Sequence, residues 1–546
     1  MKKLKKRSRK SLHKACEGYI NQNHAESLSN EDASLIGFTL SLKENIDIIK
    51  SLLSHSDDII IRHFKIPTIP SIEGAIVFIK SIVDLKLVES NILAPLMLGL
   101  KDQSSEELGY FHANIKALLE ENLSSHSIES YNDAKAAVLE ALGGNGIIFV
   151  DGFPAGITVA IGKGSNKESA EPQTERVVKG PQQGFVEDSS VNLAMIRRRI
   201  KSTDLVIREF QLGKETKSNI VVAYLKTIAE PAIVDEVLNR LDDVGRNVDG
   251  ITSTGGIEDY ITDNPLSLFQ ADFSTERPDR ASAMLLEGRI AIIYDGSPFV
   301  LMAPSIVADF FSTSEDYYLN FYFATFNRLI RYFGALVVMF LPAIYVAVTT
   351  YHQEMLPTRL ALTLAGTRSG VPYPAYFEAL FMEMAFEALR EAGIRLPTHI
   401  GQAVSIVGAL IIGQSAVEAG LVSPAVVIIV ATTAIFSFTI PFSNFSLGLR
   451  LTRFINMTLA ALLGIYGIIA GFLFIGLTLS SLRSFGVPFM APFAPTNLQD
   501  MRDYFLRLPQ WAIKKRSSHV ANKQNLTKKQ DHLKPQPPME EGGDGH

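Results

Sequence analysis

Cysteine is almost absent. The chain has one, Cys16, so no intramolecular disulfide framework and no cysteine-based zinc site can form. That suits soluble parts kept in a reducing compartment. Signatures of enzyme chemistry are missing as well. There is no HExxH pair and no nucleophile elbow, and the 11 histidines are scattered. Gly156 to Lys163 resembles a phosphate loop only at first sight. Five residues separate Gly156 from Gly162 where the motif requires four, and Gly164 stands where Ser or Thr is required. These absences point away from an enzyme and from a bound metal or cofactor. No apolar run follows the basic N-terminus, since Ser11 to Asp32 is polar, so no cleaved secretory signal is expected.

What is present falls into regions suited to different solvents. A length of 546 residues suggests two to four units, and the mean hydropathy of +0.15 is an average over unlike parts. Residues 1–290 are mixed and charged, whereas 332–482 are dominated by uncharged stretches. Met1 to Lys14 holds eight Lys or Arg and no acid. Arg502 to Lys534 holds nine against two acids, Asp503 and Asp531. Such runs beside apolar segments mark cytoplasmic ends facing anionic lipid rather than nucleic acid.

A membrane helix needs about 20 mostly apolar residues. Four spans are expected, near 331–351, 400–420, 424–442 and 456–481. Between Glu418 and Arg450 lie 31 uncharged residues, and between Arg453 and Arg483 another 29. Arg328 and Arg331 before the first span and the basic tail after the last place both termini in the cytosol. Arg450 and Arg453 oppose that orientation, because they would then lie outside. Pro342 falls inside the first span, and Ser423–Pro424 reads as a cap and first turn.

Two patterns in this tract carry candidate sites. Residues 376–393 form a strong amphipathic helix. Glu383, Glu387 and Glu391 make one polar stripe with Arg390 beside it, and Glu378 projects from the opposite face. This is either an interfacial helix with Glu387 and Arg390 paired, or an acidic stripe that lines an aqueous path and attracts cations. On the second span, Gly401, Ser405, Gly408, Ile412, Ser415 and Ala419 align on one face. The stripe is either a surface for close helix packing or the wall of a narrow pore with Ile412 as its constriction.

The soluble part reads as α/β or α+β in two subdomains, 36–162 and 191–310. They follow a basic disordered N-terminus, 1–35, and are joined by a connector, 163–190. The transmembrane region covers 311–482 and the basic cytosolic tail 483–546. Helices are expected at 42–54, 133–142, 191–200, 231–243 and 279–287, and strands at 59–62, 75–82, 204–212, 219–226 and 289–294. Ile148 to Pro154 echoes Ile292 to Pro298: an apolar run enters Asp-Gly in both, the pattern of a hairpin. Arg197-Arg198-Arg199 could hold an anion but is read first as a solvated or membrane-facing edge.

Several stretches resemble the A subunit of the spore-germination nutrient receptors, the GerA family of endospore formers. They are KGPQQGFVED (179–188), NLAMIRRRIK (192–201), ERPDRASAMLLEGRIAIIYDGSPFVL (276–301), LAGTRSGVPYPAYFEALFMEMAFEALREAGIRLP (364–397) and GQAVSIVGALIIGQSAVEAGLVSPA (401–425). The similarity runs over roughly 40–500. It implies a multi-pass protein of the spore's inner membrane that triggers germination. Implied partners are a transporter-like B subunit and a lipoprotein C subunit, with further copies of the A subunit arranged around a cation-conducting pore. The alternatives are a non-conducting scaffold or signalling subunit and, third, a solute transporter, for which no inverted repeat is evident.

Overall fold

The computed structural model describes residues 37–54, 56–67, 72–98, 128–163, 170–396, 411–497 and 500–528. The N-terminus 1–35, the last residues of the tail, and Gly401, Ser405 and Gly408 lie outside them. The chain divides into two compact units. The first holds a five-stranded sheet. The second runs from Gly162 onward and takes in Leu53–Ile60 and Ile79–Val83.

The first unit contains α1 (Leu42–Leu52), β1 (Ile59–Ile66), β2 (Ile72–Ile79), β3 (Ile128–Tyr131), α2 (Ala134–Leu142), β4 (Asn145–Val150) and β5 (Gly156–Ala160). Its strand order is β1-β2-β4-β5-β3. The second unit repeats the pattern with α3 (Ser189–Arg199), β6 (Leu205–Leu212), β7 (Ser218–Leu225), α4 (Pro231–Asn247), α5 (Thr254–Ile261), β8 (Phe273–Thr275), α6 (Pro278–Leu286), β9 (Ile290–Tyr294) and β10 (Val300–Ala303). Its order is β6-β7-β9-β10-β8, the same topology.

The likeness extends to single hydrogen bonds. Asp151 and Asp295 open the turn after the fourth strand of each sheet, and Gly152 and Gly296 follow with φ of 82° and 97°. Each aspartate accepts the first N–H of its unit's leading helix, from Leu42 at 3.2 Å and from Ser189 at 3.0 Å. In each unit a fully buried asparagine pins the segment before that helix. Asn45 bonds both backbone groups of Thr39, and Asn192 both of Val186, at 2.6–2.8 Å. The Asp-Gly echo thus occupies equivalent hairpins of two sheets with one topology.

Alternation along the strands sorts the second sheet's faces. Ile220, Val222, Ile290 and Ile292 face α4 and α5, while Val221, Ala223, Ala291 and Ile293 face α3 and α6. The latter face continues into an aromatic cluster, in which Phe310 stacks on Phe445 at 5.0 Å and Phe273 meets Phe442 at 4.7 Å. Arg197 is a correction to the solvated reading. It is buried, held to Asp58 at 2.8 Å and to Ser56; only its two basic neighbours are exposed.

The helical part comprises α7 (Phe321–Thr350), α8 (Thr358–Arg368), α9 (Ala375–Arg395), a helical stretch over 411–418, α10 (Pro424–Ser437), α11 (Ser443–Leu463) and α12 (Ile465–Ser481). Among the described residues α7 alone is long and apolar enough to cross a membrane; α10 and α12 are apolar but shorter. The single span expected over 456–481 does not exist. Gly464, at φ 61°, breaks it, and the chain turns back on itself. A side chain at Gly467 or Gly471 would collide with the Leu459 carbonyl or with Asn456, so glycine permits this antiparallel contact.

Contacts fix the running direction of each helix. Tyr345 meets Ser423 at the start of α10, and Gly334 meets Phe436 and Thr439 at its end, so α10 opposes α7. Glu378 and Arg390 reach Ser423 and Ser437, so α9 runs with α10. Phe445 touches Phe311 just ahead of α7, and the Tyr351 hydroxyl donates to the Ala461 carbonyl, so α11 runs with α7. The chain from α12 then forms a hairpin of β11 (Arg483–Ser484) and β12 (Val487–Pro488).

Replacing Asn192 with Ala leaves the N–H and C=O of half-buried Val186 without their partner and should destabilise the protein by about 1–3 kcal/mol. Asn45→Ala should cost a similar amount, as read by denaturant unfolding. A neutral effect at either position would contradict the pinning role.

Candidate functional site

Taking a charge out of water costs several kcal/mol unless a partner and hydrogen bonds compensate. The apolar helices nevertheless hold five charged side chains together, because α9 supplies acids where α11 supplies bases. Glu383, fully buried, meets Arg453 at 2.7 Å and accepts from Thr433 of α10 at 3.2 Å. Glu387 takes both Arg450 and Arg453, the latter at 2.9 Å. Arg390 donates to Ser437 at 3.1 Å and lies over the Phe438 ring. Asn456, one turn beyond Arg453, donates to the Met339 carbonyl of α7 at 3.1 Å.

The expected residues therefore separate into groups. Glu383, Glu387 and Arg390 share one cluster. Glu378 faces elsewhere: buried, it accepts from Arg368 at 3.3 Å and from the Ser423 N–H at 3.0 Å, at the start of α10. Ser423 stands at the N-cap of α10 with Pro424 in its first turn, as expected, but its hydroxyl meets Tyr345 and makes no cap bond. The expected Glu387–Arg390 pairing gives way to pairs with α11. Arg450 and Arg453 do not flank spans on the outer side; they lie within the bundle. Glu391 pairs with Arg395 on the surface at 2.6 Å. Ile412 and Ser415 lie exposed on the stretch 411–418. Arg450, Arg453 and Asn456 were missed as partners, though their three-residue steps keep them near one helix face, as the four-residue step does for Glu383 and Glu387 of α9.

Two joints tie this bundle to the second sheet domain. At the start of α7, Asp316 takes Arg328 at 3.0 Å and Arg331 at 2.8 Å. Burial pushes that carboxyl up, but the hydrogen bond and charge of Arg331 and the charge of Arg328 outweigh it and hold it below its ordinary value. At the end of α12, the β11–β12 turn enters a cleft of about 830 Å³ beside α4. There the Gly486 N–H donates to Asp263 at 2.9 Å, and Arg240 bridges Asp263 and the Phe485 ring. Nearby, burial pushes Glu258 up to about 7 and Asp272 to about 6, and neighbouring carboxylates add to it.

With this geometry in hand, the comparisons with known proteins decide the family. A model described as "Bacillus/Clostridium GerA spore germination protein" matches residues 47–519. The chain belongs to the GerA family. It is 41% identical to "Spore germination protein KA" of Bacillus subtilis (strain 168), over 92% of this chain and 90% of that protein. It is 35% identical to "Spore germination protein B1" of the same organism, over 89% and 98%. Among solved structures it is similar to the N-terminal domain of the A subunit of the Bacillus megaterium spore germinant receptor GerK3. That match is 31% identical with a TM-score of 0.38, covering 50% of this chain and 98% of that one.

Removing Arg453 leaves Glu383 buried and unpaired, so Arg453→Ala should cost about 3–5 kcal/mol, while Arg453→Met with Glu383→Gln should recover much of it. Thermal stability of the purified protein reads both; equal losses would contradict the pairing. The Glu258 and Asp272 carboxyls hold protons that the unfolded chain releases, so stability should fall as pH rises from about 4 to about 7. Glu258→Gln should flatten that decline in a pH series of unfolding curves, and an unchanged slope would count against it.

Proposed function

We propose that this chain is the A-type subunit of a nutrient receptor in the inner membrane of the spore. In this reading its helices assemble with other copies into a cation pathway that opens at germination. Membership of the GerA family is the observation that carries the reading. The run of directions supports its membrane half. α9 and α10 both oppose α7. α7 and α11 run one way, and α9, α10 and α12 the other. With the span expected near 400–420, this reading keeps an even number of passes. Both ends of the bundle join the same α/β domain, which puts the residues before α7 and after α12 on one side, the cytosol by the basic tail. A transporter-like B subunit and a lipoprotein C subunit complete the receptor.

One observation favours a non-conducting scaffold. Glu383 and Glu387 are matched by Arg450 and Arg453, which cancels the negative field that would draw cations. Conduction therefore requires Glu387 to release a partner, or a pore lined elsewhere, with the 401–415 stripe the foremost alternative.

Monovalent-cation flux in liposomes separates the readings. The channel reading expects flux from the purified chain, raised by Ile412→Ala at normal abundance, and weaker cation selectivity in Glu387→Gln if the acidic stripe lines the path. If Ile412 only packs, its truncation should cost about 2–5 kcal/mol and lower abundance without leak. That result, or no flux from intact oligomers, would favour the scaffold.

A further inference from the structure

The chain after the β11–β12 hairpin is held at two places. Its first part lies against the foot of α7: the Arg507 N–H donates to Thr325 at 3.0 Å, the Arg507 guanidinium covers the Tyr317 ring at 4.5 Å, and Phe505 meets Tyr332 at 4.8 Å. Its later part is fastened to the second sheet domain. Arg516 donates to the Leu286 carbonyl at 3.0 Å, Ala521 forms a bridge with Ala229, and Lys528 pairs with Glu287. Residues 508–513 link these fastenings, and Lys514 and Lys515 pair along the backbone with Lys528 and Thr527.

That stretch presents an unusual surface for a polar tail. Trp511, the only tryptophan in the chain, is 42% exposed, and Leu506 just ahead of it is 51% exposed. Lys514 and Lys515 follow, both exposed. At the same level the first turns of α7 expose Tyr322, Phe323 and Phe326. The uncharged run of α7 begins at Tyr332, the residue Phe505 packs on. An aromatic and a leucine beside lysines, fixed at the foot of an apolar helix, is the composition that settles at the headgroup level of a bilayer. There indole suits the interface and lysine the anionic surface.

We propose that residues 506–515 lie on the bilayer surface, with Trp511 and Leu506 at the headgroup boundary and Lys514 and Lys515 on anionic phospholipid headgroups. The tail is then an interfacial anchor that fixes the height of the second sheet domain above the membrane. This rests on the reading that α7 crosses that membrane.

The single tryptophan makes the test direct. The full-length protein is reconstituted into vesicles of zwitterionic phospholipid with increasing fractions of phosphatidylglycerol, and flotation establishes incorporation. Trp511 emission should shift to shorter wavelength and be quenched by lipids brominated near the headgroup end of the acyl chain. Lys514→Gln with Lys515→Gln should raise the anionic fraction needed for half-maximal quenching by about threefold or more. Incorporated protein whose Trp511 stays open to aqueous iodide and untouched by brominated lipid would overturn the anchor and leave the membrane reading standing. Emission already shielded in detergent and insensitive to lipid would mean that protein, not lipid, covers Trp511, and would overturn it too. Protein that does not float with the vesicles would sink both.

Discussion

An arginine among apolar helices has to be paired, and the arrangement of the helical region follows from meeting that demand. Arg453 is fully buried, with Glu383 and Glu387 from α9 around its guanidinium. To bring those groups together α9 must lie beside α11 and run against it, with α10 close enough to lend Thr433 and Ser437. The same requirement recurs through the second unit. Arg277 is held by Asp279, Arg289 by Asp309, Arg328 by Asp316 and Arg197 by Asp58. Such pairs add little net stability over apolar packing, but breaking one is costly, so they select one arrangement over near alternatives.

The α/β part is a repeated unit, and its two copies differ in what they carry. Both keep the buried asparagine and the Asp-Gly turn, which together lock the leading helix to the sheet. The second copy uses one face for its own helices and gives part of the other to Phe442 and Phe445 at the bundle. Asp316 and the Phe485 turn then tie that copy to the first and last helices of the bundle. The second copy is thereby fastened to both α7 and α12.

Much of the α/β part was legible in the sequence, because period-two strands, Pro231 at a helix start and Asp-Gly turns are local signals. The three strands given a range in the second copy, β6, β7 and β9, lie within a residue or two of it, whereas the short β8 was not expected. The Asp-Gly echo gave a hint of repetition that its own length could not distinguish from common hairpin chemistry. The bundle was less legible for two physical reasons. Hydropathy sees an uncharged run over 454–482 but not the reversal that one glycine at positive φ introduces. It also counts Arg450 and Arg453 as obstacles to a buried helix, when acids more than sixty residues earlier offset them. The acids themselves were found; their partners were not, because pairing between helices leaves no mark in local spacing.

The most direct test of the account is the alternation of the bundle about its charged cluster, with both of its ends on one side. With Cys16 replaced by Ser, single cysteines at Gln353 and Tyr466 report the far end, and those at Tyr260 and Lys523 the near end. Labelling by an impermeant maleimide in oriented vesicles should modify Gln353 and Tyr466 from one face only, and Tyr260 and Lys523 from the other. Labelling of Gln353 and Tyr466 from opposite faces would contradict the account.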